Sequence, residues 1–241
     1  MLALALTAVD AAAQTSLYRQ KKYYGPIPVN GLSLHVGFVD GPDHQNLTDH
    51  LIFWARQRAG EENWENWTTS FYAKAGYQRR ISPFHFLTAN LNFAYLAAEG
   101  FGDYVTLTAP SYYLLSERKL KTYLLSLDIG FHYYMVEPEV RSIAPYIGGG
   151  FSGVIPMERL ETTLRLEDGT PFPSGGETVS ENSLEVGVHG EFGLVYFITN
   201  RYSAGMEGRY ALSQSKFDIH GGNFDVDYSG LFLSLLMTYY F

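Results

Sequence analysis

The end of the chain constrains its fold more than any other stretch. Leu231, Leu233, Leu235, Met237, Tyr239 and Phe241 fall on one face of a period-two repeat. Gly230, Ser234 and Thr238 share the other face with Phe232, Leu236 and Tyr240. A repeat of two marks a strand, because successive side chains leave opposite faces of the pleat. The pattern recurs upstream, where Leu184, Val186, Val188, Phe192, Leu194, Tyr196 and Ile198 alternate with Glu185, Gly187, His189, Glu191 and Gly193. A soluble sandwich alternates too, but its polar face is solvated and rarely so rich in glycine. Here the apolar faces end in aromatics, as expected of a lipid-facing band with an interfacial girdle.

Five more stretches read the same way. Leu32, Leu34, Val36 and Phe38 oppose Ser33, His35 and Gly37; Phe71, Ala73, Ala75 and Tyr77 oppose Tyr72, Lys74, Gly76 and Gln78. Leu87, Ala89, Leu91, Phe93 and Tyr95 oppose Thr88, Asn90 and Asn92. Tyr123 to Tyr133 sets its odd positions against Ser126, Asp128, Gly130 and His132. Tyr202, Ala204, Met206, Tyr210 and Leu212 oppose Ser203, Gly205, Glu207 and Arg209. Pro145 to Ile155 is an eighth strand, too glycine-rich for its faces to be assigned.

Connection lengths give the topology. Arg79 to Pro83, Val136 to Ala144 and Thr199 to Arg201 are short. Asp40 to Asn66, Ala97 to Lys121, Arg159 to Asn182 and Ser213 to Val226 are long. Strict alternation of tight and long links suits periplasmic turns and outer loops. The expectation is an all-β, closed, up-and-down antiparallel transmembrane β-barrel of eight strands. Tyr104 to Leu115 is strand-like and is placed as a β extension of the second outer loop. A ten-stranded barrel using that segment and part of Leu17 to Pro28 is the alternative.

Composition narrows the class. No apolar run approaches the ~18 residues of a membrane helix, while 19 Tyr, 16 Phe and 24 Gly suit closed antiparallel sheets. A formal charge of −8 speaks against nucleic acid as partner. Without cysteine there is no disulfide, thiolate metal site or cysteine nucleophile, so sheet closure has to supply the stability. Met1 to Val9 is apolar and leads into Ala11-Ala12-Ala13 and Gln14, like the core and cleavage site of a secretory signal peptide. The expected organisation is a signal-peptide remnant over 1–13, a periplasmic segment over 14–30 and a barrel over 31–241. The missing basic start places the true start codon upstream.

Leu233-Ser234-Leu235-Leu236-Met237-Thr238-Tyr239-Tyr240-Phe241 resembles the C-terminal assembly signal of bacterial outer-membrane barrels, with Leu233, Leu235, Met237, Tyr239 and Phe241 as its matching positions. Pro145-Tyr146-Ile147-Gly148-Gly149-Gly150 and Tyr196-Phe197-Ile198-Thr199-Asn200-Arg201-Tyr202 are similar to elements of the small OmpA, OmpX and OmpW-type barrels. The resemblance implies a Gram-negative outer-membrane location after export through the periplasm. It implies as partners the barrel-assembly machinery, periplasmic chaperones, outer-membrane lipid and lipopolysaccharide. With nothing beyond Phe241, no peptidoglycan-binding domain is expected.

Inward positions collect His35, Lys74, Arg80, Asp128, His132, Glu185, His189, Glu191, Glu207 and Arg209. An eight-strand interior is just wide enough to be filled by side chains, so these are expected to form a paired polar network. A catalytic triad cannot be assembled from spacing, and the His-x-Ser-Asn stretch of the lipid A deacylases is missing. No catalytic residue, metal or cofactor is therefore assigned, although His44 and His50 lie near Asp43 and Asp49 in the first long loop. That loop also holds all three tryptophans: Trp54 and Trp64 are contact candidates, and Trp67 suits the outer girdle. The expected function is a non-enzymatic barrel giving structural support and surface interaction through its outer loops. The alternatives are a narrow, porin-like channel of the OmpW type and an outer-membrane lipid-modifying enzyme.

Overall fold

The computed structural model describes residues 26–40, 61–64, 69–105, 113–219 and 222–241. In chain order the strands are β1 (Asn30–Asp40), β2 (Glu61–Trp64), β3 (Thr69–Arg80), β4 (His85–Val105), β5 (Tyr113–Tyr134) and β6 (Ile143–Leu166). They continue as β7 (Pro171–Asn182), β8 (Glu185–Phe197), β9 (Tyr202–Leu212), β10 (Gln214–Ile219), β11 (Gly222–Asp227) and β12 (Gly230–Tyr240). There is no helix among the described residues.

β1, β3, β4, β5, β6, β8, β9 and β12 pair antiparallel in that order, and β12 returns to β1, with Leu32 opposite Tyr239 and Phe38 opposite Leu233. These are the eight expected stretches, and the ring they form has no open edge within the membrane span. The ten-stranded alternative does not form. Every assigned face holds, and β6 is now resolved: Ala144, Tyr146, Ser152 and Val154 are buried while Ile147, Phe151 and Ile155 are exposed. Glycine closes the tightest approach there, since a Cβ on Gly150 would lie 2.1 Å from the carbonyl oxygen of Ile129.

The outer wall is apolar. Leu34, Val36, Leu91, Leu127, Ile129, Phe151, Phe192, Leu235 and Met237 are all exposed. An apolar surface on this scale belongs against lipid. Aromatics bound it at both ends: Tyr77, Tyr133, Tyr196, Tyr202 and Tyr239 below, Phe71, Phe93, Tyr95, Tyr123 and Tyr210 above. Tyr95 and Tyr123 pack at 5.1 Å, and Tyr202 and Tyr239 at 5.2 Å. From Tyr133 to Tyr123 the strand covers about 33 Å at ~3.3 Å per residue. A tilt of ~40° leaves about 25 Å, the height of an outer-membrane apolar band.

Two of the expected outer loops prove to be largely strand. β4 runs to Val105 and β5 starts at Tyr113, so the described ends of the Tyr104 to Leu115 segment extend this hairpin. β6 continues to Leu166, turns at Gly169 (φ 83°) and pairs back along itself through β7. β2 pairs with β4 on the other side, Trp64 opposite Gly100, so the backbone at Trp64 is strand rather than loop. The result is a blade ordered β2-β4-β5-β6-β7, rising above the ring on one side. Above the membrane both faces of a strand mix polar and apolar residues, so the binary contrast that marks the wall is lost. β10 and β11 form a separate hairpin.

Two apolar clusters plug the interior. The outer one includes Val39, Tyr72, Leu96, Leu120, Leu124 and Phe232. The one at the short-turn end includes Phe86, Tyr134, Tyr146, Phe197 and Tyr240, together with Ile27 from the segment before β1.

Candidate functional site

Between the plugs lies a belt of charge. Lys74 on β3 reaches across the lumen to β8, the strand opposite it in the ring, and its Nζ donates to Glu191 Oε1 and Glu207 Oε1 at 2.8 Å each. The second oxygens of both carboxylates are also engaged. His132 Nε2 lies 2.6 Å from Glu191 Oε2, and Tyr146 donates to Glu207 Oε2 at 2.6 Å. His35 Nδ1 stands 3.5 Å from Glu207. His132 stacks on Tyr146 with ring centroids 4.4 Å apart. Gly148 makes room for this, because a Cβ there would meet the imidazole at 2.6 Å.

A second cluster sits beside the first. Arg209 Nη2 is 2.9 Å from Asp128 Oδ2 and donates to Ser152 Oγ at 3.2 Å, while its guanidinium lies 5.0 Å over the Phe232 ring. Asn92 Nδ2 donates to Asp128 at 2.8 Å and to Ser126 Oγ at 3.0 Å; Tyr72 donates to Asn92 Oδ1 at 2.8 Å. Arg209 Nε at 3.9 Å from Glu191 joins the two clusters. Buried charges are tolerated only when paired and hydrogen-bonded in this way. A void on the short-turn side of the belt measures ≈ 20 Å³ and is lined by Lys74, Thr88, Asn90, His132 and Glu207 among others. That is room for about one water.

Eight of the ten residues expected in the network meet here: His35, Lys74, Asp128, His132, His189, Glu191, Glu207 and Arg209. Glu185 does not. It opens β8 at the outer mouth, half-buried and six residues along the strand from Glu191. Arg80 is likewise outside the belt; it caps the short β3–β4 turn by donating to the carbonyls of Ser82 and Pro83 and bridges to Glu137 at 3.1 Å. Both follow inward parity, but parity gives a side chain's direction and not its height. Tyr72, Asn92, Ser126, Ser152 and Tyr146 also belong to the network, beyond the expected residues. Parity already turned the first three inward, whereas Ser152 and Tyr146 lie in the glycine-rich strand whose faces could not be read. Trp54, Trp67, His44, His50, Asp43 and Asp49 lie outside the described residues.

Two chemical readings of the belt can be tested on its geometry. Asp128, His189 and Glu191 place three ligand atoms within 4.8 Å of one another, as do His132, Glu191 and Glu207. In the second set the Lys74 ammonium already occupies the cation position between the carboxylates. In the first, the Arg209 guanidinium holds the Asp128 oxygen. Neither fits a metal. Ser152, His189 and Asp128 also converge, but Ser152 Oγ (2.9 Å) and Asp128 (3.9 Å) both face Nδ1 of His189. A nucleophile and its orienting carboxylate need opposite ring nitrogens, and this trio is fully buried.

No protein-family model matches the sequence, and no curated protein matches it. Solved structures do. The outer membrane protein OprG from Pseudomonas aeruginosa has a TM-score of 0.49 at 14% identity, over 90% of this chain and 98% of that one. Neisserial surface protein A has 0.41 at 11%, over 88% and 97%. The N-terminal β-barrel domain of Pseudomonas aeruginosa OprF has 0.38 at 11%, over 89% and 99%. With every TM-score below 0.5, the fold is read from the chain's own geometry. A closed antiparallel ring satisfies every backbone group without water, and its apolar wall and charged lumen complete the requirement for spanning lipid as strands. The fold is that of a transmembrane β-barrel closed on eight antiparallel strands. The barrel's β12 carries Leu235, Met237, Tyr239 and Phe241 on its lipid side, with Leu233 half-buried on the same face.

Proposed function

We propose that this is a non-enzymatic, non-conducting outer-membrane barrel, exported through the periplasm, whose wall anchors it and whose outer blade and loops make the contacts. The observation that supports this reading is the sealed lumen. Lys74, Glu191, Glu207, Arg209 and Asp128 lock four strands together across the interior, and an apolar plug closes each side of them. A solute would have to separate ion pairs held in a low-dielectric space, where breaking one pair costs about 3–5 kcal/mol. Such a belt acts as a rigid cross-brace.

Single-channel recording tests the reading. The refolded chain in a planar bilayer is expected to give no discrete openings. Reproducible openings that change on Glu191→Gln or Arg209→Gln would overturn it in favour of a polar path.

A further inference from the structure

The lumen is short of side chains in one quarter. The inward positions Gly76 on β3, Gly130 on β5 and Gly148 on β6 carry none. The register sets each of them directly opposite a polar residue: Gly76 faces Asn90, Gly130 faces Thr88 and Gly148 faces His132. These same three polar residues line the void of ≈ 20 Å³ on the short-turn side of the belt. Asn90 and Thr88 are 4% exposed and His132 is 6% exposed, so bulk solvent does not satisfy them.

Each of the three keeps one polar atom without a partner among the described residues: Asn90 Nδ2, Thr88 Oγ1 and His132 Nδ1. Buried polar atoms are nearly always bonded, so three orphans around one space call for an occupant. Their surroundings fix what each one offers. Asn90 Oδ1 lies against Gly76, where a Cβ would come within 2.4 Å of it, and this leaves the amide nitrogen as the end in need. His132 Nε2 donates to Glu191 Oε2 at 2.6 Å, because a carboxylate only accepts, which makes Nδ1 of the neutral ring an acceptor. Lys74 also lines the void and has given two of its three N–H bonds, to Glu191 and Glu207.

This donor set selects the occupant. A cation would face the Asn90 N–H groups and the Lys74 ammonium. A halide would add negative charge where the carboxylates of Asp128, Glu191 and Glu207 already outnumber Lys74 and Arg209. A water accepts from Asn90, donates to His132 Nδ1 and takes either role with the Thr88 hydroxyl. Three bonds are what a buried water typically makes, and the space holds about one.

We propose that this void is the binding site of one ordered water, held by Thr88, Asn90 and His132. The water ties β4 to the belt and positions the imidazole that engages Glu191. The inference goes beyond the sealed-lumen reading, and it is read from contact with water rather than from the passage of solutes.

The test is water-selective NMR of the full, isotope-labelled chain refolded in detergent micelles. Nuclear Overhauser and rotating-frame cross-peaks of opposite sign are expected between water and the Asn90 side-chain amide protons, as for a water that tumbles with the protein. Asn92, whose amide is already bonded to Asp128 and Ser126, is expected to give none. Thr88→Ile puts a methyl group into the space. It is expected to abolish the Asn90 cross-peaks and to shift the His132 Nδ1 resonance, while the folded barrel keeps its heat-modifiable gel mobility. A missing cross-peak at Asn90 in the unsubstituted chain would overturn the proposal, whether or not the variant folds. So would cross-peaks that survive in folded Thr88→Ile. Equal cross-peaks at Asn92 would mean a lumen filled with water, overturning the single site and the sealed lumen together. A dry Asn90 beside a silent bilayer recording would overturn the water site alone, so the two failures are distinguishable.

Discussion

Replacing Lys74 with Met tests whether the belt braces the barrel. The substitution keeps the length and apolar stem of the side chain but removes the ammonium. Glu191 and Glu207 then face each other across the lumen without their shared cation, each having lost a contact of 2.8 Å. At an effective dielectric of about 20, each contact corresponds to roughly 6 kcal/mol of attraction. Most of that offsets the desolvation of the three groups, and removing one partner of a buried pair is worth about 3–5 kcal/mol. With two carboxylates stranded, the upper end of that range applies. Equilibrium unfolding in urea from lipid vesicles, followed by tryptophan fluorescence, measures the loss. Adding Glu191→Gln and Glu207→Gln to Lys74→Met should recover at least half of it, because the stranded charges are then gone. A loss under about 1 kcal/mol, or a triple variant no more stable than Lys74→Met alone, would refute the reasoning. The lumen would then hold enough water to solvate the carboxylates.

Two further outcomes are expected. Gly150→Ala places a methyl group 2.1 Å from the carbonyl oxygen of Ile129, so β5 and β6 must separate locally; overpacking of this kind costs about 1–3 kcal/mol, read in the same unfolding assay, with Gly190→Ala as a neutral control because its Cβ position is open. On the blade, outside the membrane span, the Lys121 ammonium bonded to Glu161 holds that carboxyl below its ordinary range. The contact is therefore complete above the usual carboxyl pKa of about 4.3 and is lost only as pH falls through the lowered value. Lys121→Gln should move the Glu161 carboxyl titration, followed by NMR, back up, and a titration indifferent to that change would refute the pairing.

Much of this molecule was legible in one dimension. The alternation of Leu231 to Phe241 and of Leu184 to Ile198 separates lipid from lumen because the repeat is two and the two environments differ maximally in polarity. The same contrast placed eight of ten network residues. It failed where contrast fails. Pro145 to Ile155 has glycine on both faces, so Tyr146 and Ser152 went unassigned. Ala97 to Lys121 and Arg159 to Asn182 leave the membrane, so strands there were read as loops.

The sequence by itself determined the wall, the ring and which side chains turn inward, since these follow from local parity and the lengths of the links between strands. Only the tertiary structure decided which inward groups meet. Lys74 finds Glu191 on the strand directly opposite, 117 residues away in the chain, and no local pattern encodes a distance across a closed lumen. It also decided that the interior charge forms a clamped belt, because height along each strand depends on the stagger between neighbours. That stagger is a property of the ring as a whole, set when β12 pairs with β1.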